Sequence, residues 1–364
     1  MQRDAHFDQS PRVLVVGRAL PRNYLSQEAL IAALRGLWGA RHFNIDRLLE
    51  LHRTARVSGR HLALPLEAYA ELDTFAKCND AWIEAALDLG EAALCDALAG
   101  AGLSAAEVDH IFFATVTGIA TPSIDARLVN RLGMKRSVKR TPIFGLGCVA
   151  GAAGMARASD YLRAYPDEVA VLLSVELCSL TLQREDVSVP NVIASGLFGD
   201  GAAAVLLGGS RAVPQACGGK GPRVIAARSF FYRDTERVLG WDVVDSGFKV
   251  VLSASIPEVV REHVAKDVDE FLGGLGFARG DIQHYLVHAA GPKVLQAIEG
   301  GLSLSRDALA ASWRSLGEVG NLSSASVLFV LGDVLASAAA REGDLGLLVG
   351  MGPGFCSEMV LLAW

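Results

Sequence analysis

The chain has 364 residues, half of them apolar and a fifth charged, which exceeds the usual size of a single-core domain and predicts one large fold or two fused halves. Its formal net charge of −6, with no block of basic residues, argues against nucleic acid or an anionic membrane as the main partner, although small anionic ligands fit at local sites. The six cysteines are scattered without a CxxC pair or a zinc-type histidine spacing, so we expect no metal site and a reducing, cytoplasmic environment.

Short β-rich runs alternate with helical patterns along the chain. In order, RVLVVGRAL predicts a strand, residues 80–103 a long helix, DHIFFATVTG a strand, IDARLVNRLGM a helix, and DEVAVLLSVEL and GAAAVLLGG two more buried strands. This alternation indicates an α/β protein with buried, largely parallel strands. Glycine and proline cluster in residues 208–222, so we place the boundary between an N-terminal half, residues 1–210, and a C-terminal half, residues 222–364, at this segment.

No segment of the sequence predicts a signal peptide or a membrane span. The start, MQRDAHFDQ, lacks the apolar run of a signal peptide. The apolar stretch VLFVLGDVLASAAA is interrupted by Asp333 and is too short to cross a bilayer. We therefore expect a soluble protein.

The two halves resemble each other. Residues 103–133 and 277–305 each predict a helix end, a strand, a Gly/Pro turn and a helix, and they match His110 with His284. Next come FGLGCVAGAAGMARASDYL and GEVGNLSSASVLFVLGDVL, each a glycine turn that opens into a helix rich in small residues. A duplicated unit packed about a pseudo-twofold axis would bring these equivalent turns, with Cys148 and Asn321, together in the middle of the molecule.

Cys148 and His288 are candidate catalytic residues. Cys148 stands where a helix should begin, and the free N–H groups of a helix N-terminus favour a thiolate, although a small buried core residue is the alternative. His288 ends the strand IQHYLV beside a glycine turn, where it can point into a cleft. It falls opposite Ala114 in the first half, so it breaks the internal match as a residue recruited for function would. For His284, matched by His110, we expect a core histidine with its hydrogen bonds satisfied.

Asn321 completes the candidate set. An asparagine after glycine can serve simply as a turn or N-cap residue. Beside His288, however, its amide would form a donor pair for an oxyanion. Such a set suits carbon–carbon bond formation from thioesters, because the thiolate takes an acyl group while the donor pair stabilises an enolate made by decarboxylation. Loss of carbon dioxide supplies the carbanion, so no general base is needed for it.

The segments FGLGCVAGAAG, ASGLFGDGAAAVLLG, VHAAGPKVL, GEVGNLSSASVLFVL and GMGPGF, in this order and spacing, resemble the type III polyketide synthases, the chalcone synthase-like branch of the thiolase superfamily. The resemblance covers nearly the whole chain and implies a thiolase-like fold, with two similar α/β halves forming a layered α-β-α-β-α core. It implies that Cys148 carries the growing chain and that His288 pairs with its thiolate as imidazolium. His288 and Asn321 would hold the malonyl thioester carbonyl during decarboxylation.

The resemblance also assigns residues around this set. Phe198 and Phe248 would be aromatic gates beside the nucleophile, although core packing would explain both. Thr121 would lie in a loop that extends across a homodimer interface. Met351 stands in the cavity-shaping loop where many members carry phenylalanine. The other residues expected to line or shape the elongation cavity are Glu176, Cys178, Thr181, Gly350, Gly352, Pro353 and Gly354.

The implied substrates are free CoA thioesters. Family members commonly use them without a carrier protein, so we expect acyl-CoA and malonyl-CoA or methylmalonyl-CoA as partners and no cofactor. CoA phosphates need cations, and Arg53, Arg56 and Arg60 lie near the family's basic CoA contacts. A solvated basic face is the alternative for each of them.

The product depends on cavity volume, which the sequence addresses only through resemblance. VELCSL resembles bacterial members of the family. Among those, FGLGCVAGAAG and the closing MGPGFCSEMVLLAW look most like the enzymes that extend long-chain acyl-CoA into alkylpyrones or alkylresorcinols. A tetrahydroxynaphthalene synthase that uses malonyl-CoA alone is the first alternative, and it also carries a cysteine in the VELCSL segment. A priming ketoacyl synthase of fatty-acid synthesis, dependent on acyl carrier protein, and a non-catalytic thiolase-fold partner are the others, the last disfavoured by the intact catalytic set.

Overall fold

A computed structural model describes residues 9–42, 44–212 and 221–364, so Cys217, the start of the chain and most of the predicted boundary segment lie outside the described residues. Its strands are β1 (Arg12–Ala19), β2 (Asn23–Ser26), β3 (Gly59–Leu62), β4 (His110–Thr115), β5 (Lys139–Phe144), β6 (Val169–Leu177), β7 (Asp200–Gly208), β8 (Arg223–Phe231), β9 (Leu239–Val244), β10 (Gly247–Leu252), β11 (His284–Val287), β12 (Leu345–Gly352) and β13 (Cys356–Ala363). Nine of these strands form one sheet in the order β11-β12-β13-β8-β1-β7-β6-β4-β5.

The sheet is mixed. Strands β4, β5 and β6 pair in parallel, as do β11 and β12, but β6–β7, β1–β7, β12–β13 and β13–β8 are antiparallel. The expectation of largely parallel strands is therefore wrong. The reason is burial: β6 and β7 are buried along their whole length, and an antiparallel strand covered on both faces has the same continuous apolar run as a parallel one.

Some helices pack on the outside of the sheet, and others lie between the strands of its two halves. They are α1 (Gln27–Trp38), α2 (Ile45–Thr54), α3 (Phe75–Ala101), α4 (Ile124–Arg131), α5 (Ala150–Ala164), α6 (Val189–Leu197), α7 (Ile256–Gly274), α8 (Pro292–Leu302), α9 (Ala310–Val319) and α10 (Ser326–Ser337). Helix α3 packs on β1, β6 and β7 from outside, whereas α5 contacts β6 of one half and β12 of the other. Helix α10 packs beside α5, and α7 and α8 share an apolar core with β12 and β13. These are the five layers of the thiolase-like fold, which the structure confirms.

The two halves repeat within the sheet. The order β4-β6-β7-β1 on one side of the β1–β8 join mirrors β11-β12-β13-β8 on the other. His110 and His284 begin the equivalent strands β4 and β11, and short 3-10 turns at Gly147–Val149 and Ser323–Ala325 open α5 and α10. The repeat places Cys148 in the first of these turns, and Asn321 lies two residues before the start of the second.

Small residues let the two central helices approach each other. A Cβ added at Gly151 in α5 would lie 2.2 Å from the carbonyl oxygen of Ser324, and one at Gly154 would lie 2.4 Å from Leu172. Real Cβ atoms do not come this close, because interiors are packed to van der Waals contact. The glycines and alanines after Cys148 therefore allow α5 to run through the centre of the molecule.

Helix α3 is longer than its sequence pattern predicts. It begins at Phe75, where the Thr74 side chain accepts a hydrogen bond from the Lys77 amide, and it ends at Gly102 in a left-handed conformation with φ of 65°. Two antiparallel strand pairs, β2–β3 and the hairpin β9–β10, were not predicted. Both pair outside the main sheet, and β9–β10 adds Trp241 and Val250 to the wall of a cavity described below.

Candidate active site

The Cys148 turn lies against the equivalent turn of the second half. The Cys148 thiol is 3.4 Å from the hydroxyl of Ser323, and the backbone amide of Ser323 donates to Asn321 Oδ1 at 2.8 Å. Cys148 and Asn321 are both buried, with 7% and 2% of their surface exposed. The pseudo-symmetry thus brings together two residues that are far apart in sequence.

Asn321 joins this turn to the loop that follows β11. Its Nδ2 donates to the carbonyl oxygen of Ala290 at 3.2 Å, and the amide of Ala290 donates to the carbonyl of His288 at 2.8 Å. The His288 amide donates to Val349 of β12, which anchors the loop. One N–H of the Asn321 amide is used in this way, and the second is available to a ligand.

His288 is buried, and neither of its ring nitrogens has a hydrogen-bond partner among the described residues. Buried polar atoms are nearly always satisfied, so an unpartnered buried imidazole marks a place where a substrate or water completes the site. His284, by contrast, bonds Asp344 at 2.9 Å, as expected for a structural histidine. His110 bonds Thr141 through Nε2 at 2.8 Å, while its Nδ1 has no partner among the described residues.

Burial dominates the electrostatics of the Cys148 and His288 side chains. It raises the pKa of the Cys148 thiol to about 12, with a further increase from Glu176, and it lowers the pKa of His288 to about 4. The helix-start effect predicted for Cys148 is therefore outweighed by desolvation. A lone thiolate or a lone imidazolium is therefore costly at these positions.

Glu176 lies behind the Cys148 and Asn321 turns in a network of hydroxyl groups. It accepts from the Ser324 hydroxyl, from the Val116 amide at 3.1 Å and from the Thr117 hydroxyl at 3.0 Å. Burial raises its pKa. Glu176 was predicted to line the elongation cavity, but it is fully buried and is not among the residues that line the described cavity.

Phe198 lies between Asn321 and an apolar cavity of about 260 Å³. It forms a backbone bridge with Asn321, and the next amide, of Gly199, donates to the Asn321 carbonyl at 3.0 Å. Cys178 and Thr181 line the same cavity, where the sequence predicted them. Most of the remaining wall is apolar and includes Leu30, Leu34, Leu37, Leu62, Leu66 and Leu72.

Phe248 belongs to strand β10 of the β9–β10 hairpin, and its side chain is buried. Its ring packs edge-to-face on Phe75 at 5.3 Å and lies 6.2 Å from Trp241 and 6.4 Å from the exposed ring of Phe144. It does not line the 260 Å³ cavity, although the neighbouring Trp241 does. Its position fits aromatic packing at least as well as the predicted gate.

The loop from Gly350 to Gly354 packs directly on the nucleophile turn. A Cβ at Gly352 would lie 2.6 Å from the Val149 amide nitrogen and 2.7 Å from the Leu146 carbonyl oxygen. A Cβ at Gly147, which has φ of 54°, would lie 2.7 Å from the Pro353 ring. Met351 is buried in the core of the second half. The described contacts of this loop therefore hold Cys148 in place, and none of its residues lines the 260 Å³ cavity.

The three arginines predicted as CoA contacts have protein partners. Arg60 is 1% exposed and donates to the backbone carbonyls of Ser195, Gly196 and Phe198, so the prediction that it binds CoA phosphate is wrong. Arg53 and Arg56 are exposed. Arg53 forms ion pairs with Glu28 and Glu50, and the Arg56 guanidinium lies over the Trp313 ring at 5.7 Å.

Thr121 is exposed and precedes a cis peptide bond to Pro122. It follows β4 on the same edge of the sheet as Phe144, the last residue of the edge strand β5. Ile119 and Phe144 are exposed apolar residues on this edge, with 45% and 54% of their surface accessible.

The structure adds residues that the sequence did not single out. Ser323 and Ser324 follow Asn321 closely in the segment NLSSAS, so their place near the site could have been predicted from the sequence. Tyr69 and Ser179, which line the cavity, carried no such signal because their partner Asp200 is distant in sequence. Within the described ranges, no three His, Cys, Asp or Glu side chains are grouped to hold a metal, and no helix is long and apolar enough to span a membrane.

A duplicated fold with a buried cysteine just before its central helix, a contact from this cysteine to the asparagine turn and a buried histidine with no described hydrogen-bond partner is typical of thiolase-like condensing enzymes. The N-terminal domain model of chalcone and stilbene synthases matches residues 2–211 and the C-terminal domain model matches residues 223–363. The chain therefore belongs to the chalcone and stilbene synthase family and is a type III polyketide synthase.

Named relatives extend over the whole chain. A 1,3,6,8-tetrahydroxynaphthalene synthase from Streptomyces peucetius subsp. caesius is 49% identical over 100% of this chain and 96% of its own length. A putative chalcone synthase of Bacillus subtilis is 37% identical over 97% of this chain and 98% of its own. The crystal structure of the tetrahydroxynaphthalene synthase from Streptomyces coelicolor A3(2), a bacterial type III polyketide synthase, superimposes with a TM-score of 0.91 at 32% identity, covering 97% of this chain and 99% of that one.

These relatives bear on the predicted product. Neither tetrahydroxynaphthalene synthase is named for an alkylpyrone or an alkylresorcinol, so the preference for long-chain products finds no support in these relatives, and the first alternative is favoured. The family match also favours a polyketide synthase over a priming ketoacyl synthase.

Proposed function

We propose that this chain makes a tetrahydroxynaphthalene-type aromatic product from malonyl-CoA alone. The observation that carries the proposal is the 49% identity, over the full chain, to a synthase named for that product. The cavity beside Phe198, with Cys178 in its wall, supports it because a volume of about 260 Å³ suits a compact polyketide.

In the proposed mechanism, Cys148 first becomes acylated. Its proton moves to His288, the thiolate attacks the thioester carbonyl, and the CoA thiol leaves with that proton. A further malonyl-CoA binds with its thioester oxygen between His288 and the free N–H of Asn321. Loss of carbon dioxide leaves an enolate at this oxygen, and its carbon attacks the acyl group on Cys148, releasing the thiolate.

The test is product formation without a starter. The protein is incubated with isotope-labelled malonyl-CoA alone, and products are identified by mass spectrometry, with Cys148→Ala as the inactive control. We expect an aromatic product in which every carbon carries label. A requirement for an added acyl-CoA before any product forms would contradict the proposal.

A second candidate is an enzyme that takes an apolar acyl-CoA starter, with malonyl-CoA or methylmalonyl-CoA as extender, and closes an alkylpyrone or alkylresorcinol. The leucine-rich wall of the cavity favours it, since burying a methylene group contributes about 0.8 kcal/mol. Acyl-CoAs of graded length, offered with each extender, distinguish the two candidates. Selection of one chain length over malonyl-CoA alone would favour the second.

We also propose that the enzyme is a homodimer that uses the Thr121 loop and the edge strand β5. Exposed Ile119 and Phe144 beside an unpaired strand edge support this, because both features are typical of association surfaces. Sedimentation of Phe144→Asp, compared with the unmodified protein, tests it. We expect the mass of a dimer for the unmodified protein and that of a monomer for the variant. The same mass for both proteins would contradict this interface.

A further inference from the structure

The wall of the cavity contains one connected set of polar groups that the catalytic residues do not use. The Tyr69 hydroxyl lies 2.5 Å from the Ser179 hydroxyl, and Ser179 in turn contacts the buried carboxylate of Asp200. Tyr69 and Ser179 line the cavity, whereas Asp200 lies behind them with no exposed surface. The three groups therefore form a path from the cavity to a carboxylate in the interior.

The direction of each hydrogen bond follows from the partners. Asp200 accepts from the Ser179 amide at 2.8 Å and from the Ala63 amide at 2.7 Å, so its ionised form is the acceptor for the Ser179 hydroxyl as well. With its own proton on Asp200, the Ser179 oxygen accepts from the Tyr69 O–H. The hydrogen bond that the Tyr69 oxygen accepts from the Leu64 amide is long, at 3.4 Å, which leaves this oxygen able to accept from a ligand in the cavity.

The charge around Asp200 suits exchange of a proton. Arg60 is the cation that acts on it, and the guanidinium is fixed on backbone carbonyls that include that of Phe198. Burial raises the pKa of Asp200 to about 6, above the ordinary value of 3.8, so both protonation states are accessible near neutral pH.

We propose that Tyr69 is the proton-transfer residue for carbon–carbon ring closure of the polyketide, linked through Ser179 to Asp200. An enol O–H of the chain passes its proton to the Tyr69 oxygen, while the Tyr69 proton moves to Ser179 and the Ser179 proton to Asp200. The enol C=C pair forms the new ring bond and the O–H pair becomes a C=O bond. The attacked carbonyl becomes an alkoxide, and the reverse transfer from Asp200 protonates it, so no net proton is gained or lost.

The proposal rests on the proposed function, because it needs a product whose ring closes through carbon. Without this path, the released chain closes through oxygen to a lactone, which needs no buried acid or base. The choice between a carbon-closed ring and a lactone therefore depends on different residues from decarboxylation, which depends on His288 and Asn321.

The experiment compares Tyr69→Phe and Ser179→Ala with the unmodified enzyme, and Tyr165→Phe, an exposed tyrosine, is the matched control. Malonyl-CoA decarboxylation and the ratio of carbon-closed to lactone products are measured in the same reactions. We expect the ratio to fall about 10²-fold in both variants, the size typical of lost acid–base catalysis, with decarboxylation within about twofold. Tyr165→Phe should match the unmodified enzyme in both measurements.

Three results would overturn the proposal: an unchanged ratio in Tyr69→Phe, an unchanged ratio in Ser179→Ala, or an equal loss of decarboxylation and ring closure. An enzyme that makes only lactones would overturn it as well. Failure of the proposed function shows in a different measurement, the requirement for an acyl-CoA starter, and the ring-type ratio is then read from the products of that starter.

Discussion

Replacing His288 with glutamine tests whether the buried cysteine depends on histidine for its reactivity. Burial raises the pKa of Cys148 from 9.0 to about 12, which is roughly 4 kcal/mol against the thiolate. At pH 8 a thiol with this pKa is about 10⁻⁴ ionised, against about 10⁻¹ for a thiol of ordinary pKa. Only a partner that accepts the proton within the site offsets this, and His288 is the candidate.

The measurement is the rate of iodoacetamide alkylation at Cys148, followed by mass spectrometry of the modified peptide. The exposed Cys95 of the same chain is the internal reference for reagent and accessibility. We expect Cys148 in His288→Gln to react at least about tenfold more slowly than in the unmodified enzyme, since a stabilisation of only about 1.4 kcal/mol produces that ratio.

Equal alkylation of Cys148 in both proteins, at an unchanged Cys95 rate, would refute the reasoning. It would mean that the thiolate forms without His288 and that backbone N–H groups at the start of α5 are sufficient. A circular dichroism spectrum of the variant guards against a loss of fold.

Other substitutions separate the roles of the site residues and the loop behind them. Cys148→Ala should abolish condensation yet retain malonyl-CoA decarboxylation, measured as released carbon dioxide. Asn321→Ala should lower decarboxylation by about 10²-fold or more, because it removes an oxyanion donor. Unchanged decarboxylation in Asn321→Ala would rule out that role. Gly352→Ala should lower thermal stability and condensation because its Cβ would overlap the Val149 amide, whereas Gly273→Ala, with open space around it, should leave both unchanged or raise stability. Burial lowers the pKa of His288 from 6.5 to about 4, so between these pH values the imidazole is neutral in the folded chain and protonated in the unfolded chain. Its contribution to the free energy of unfolding, about 3 kcal/mol, is therefore complete above pH 6.5 and is lost progressively as the pH falls toward 4. Denaturant unfolding across this range should show a smaller loss in His288→Gln, and an equal loss would contradict the assignment.

Much of the site could be predicted from the chain alone because duplication leaves a local record. The match of His110 with His284, and of the Cys148 turn with the Asn321 turn, needed only residue order and glycine spacing. His288 was recognisable as the residue that breaks this match. These features are local in sequence, and a helix that must pass through the centre of a molecule requires small residues wherever it occurs.

The cavity and the charges depended on tertiary structure. The family resemblance suggested Arg60 as a phosphate contact, but only the packed molecule shows that it is buried and donates to the Phe198 carbonyl. The same holds for the Tyr69, Ser179 and Asp200 path, whose members come from separate segments.

The sequence by itself determined the family and the duplicated architecture, and it predicted a candidate catalytic set. Tertiary structure alone decided strand direction, the balance between burial and the helix start at Cys148, and which polar groups reach the cavity. The physical reason is that repeats and turn signals are encoded by neighbouring residues, whereas desolvation and cavity shape are sums over groups that meet only when the chain is folded.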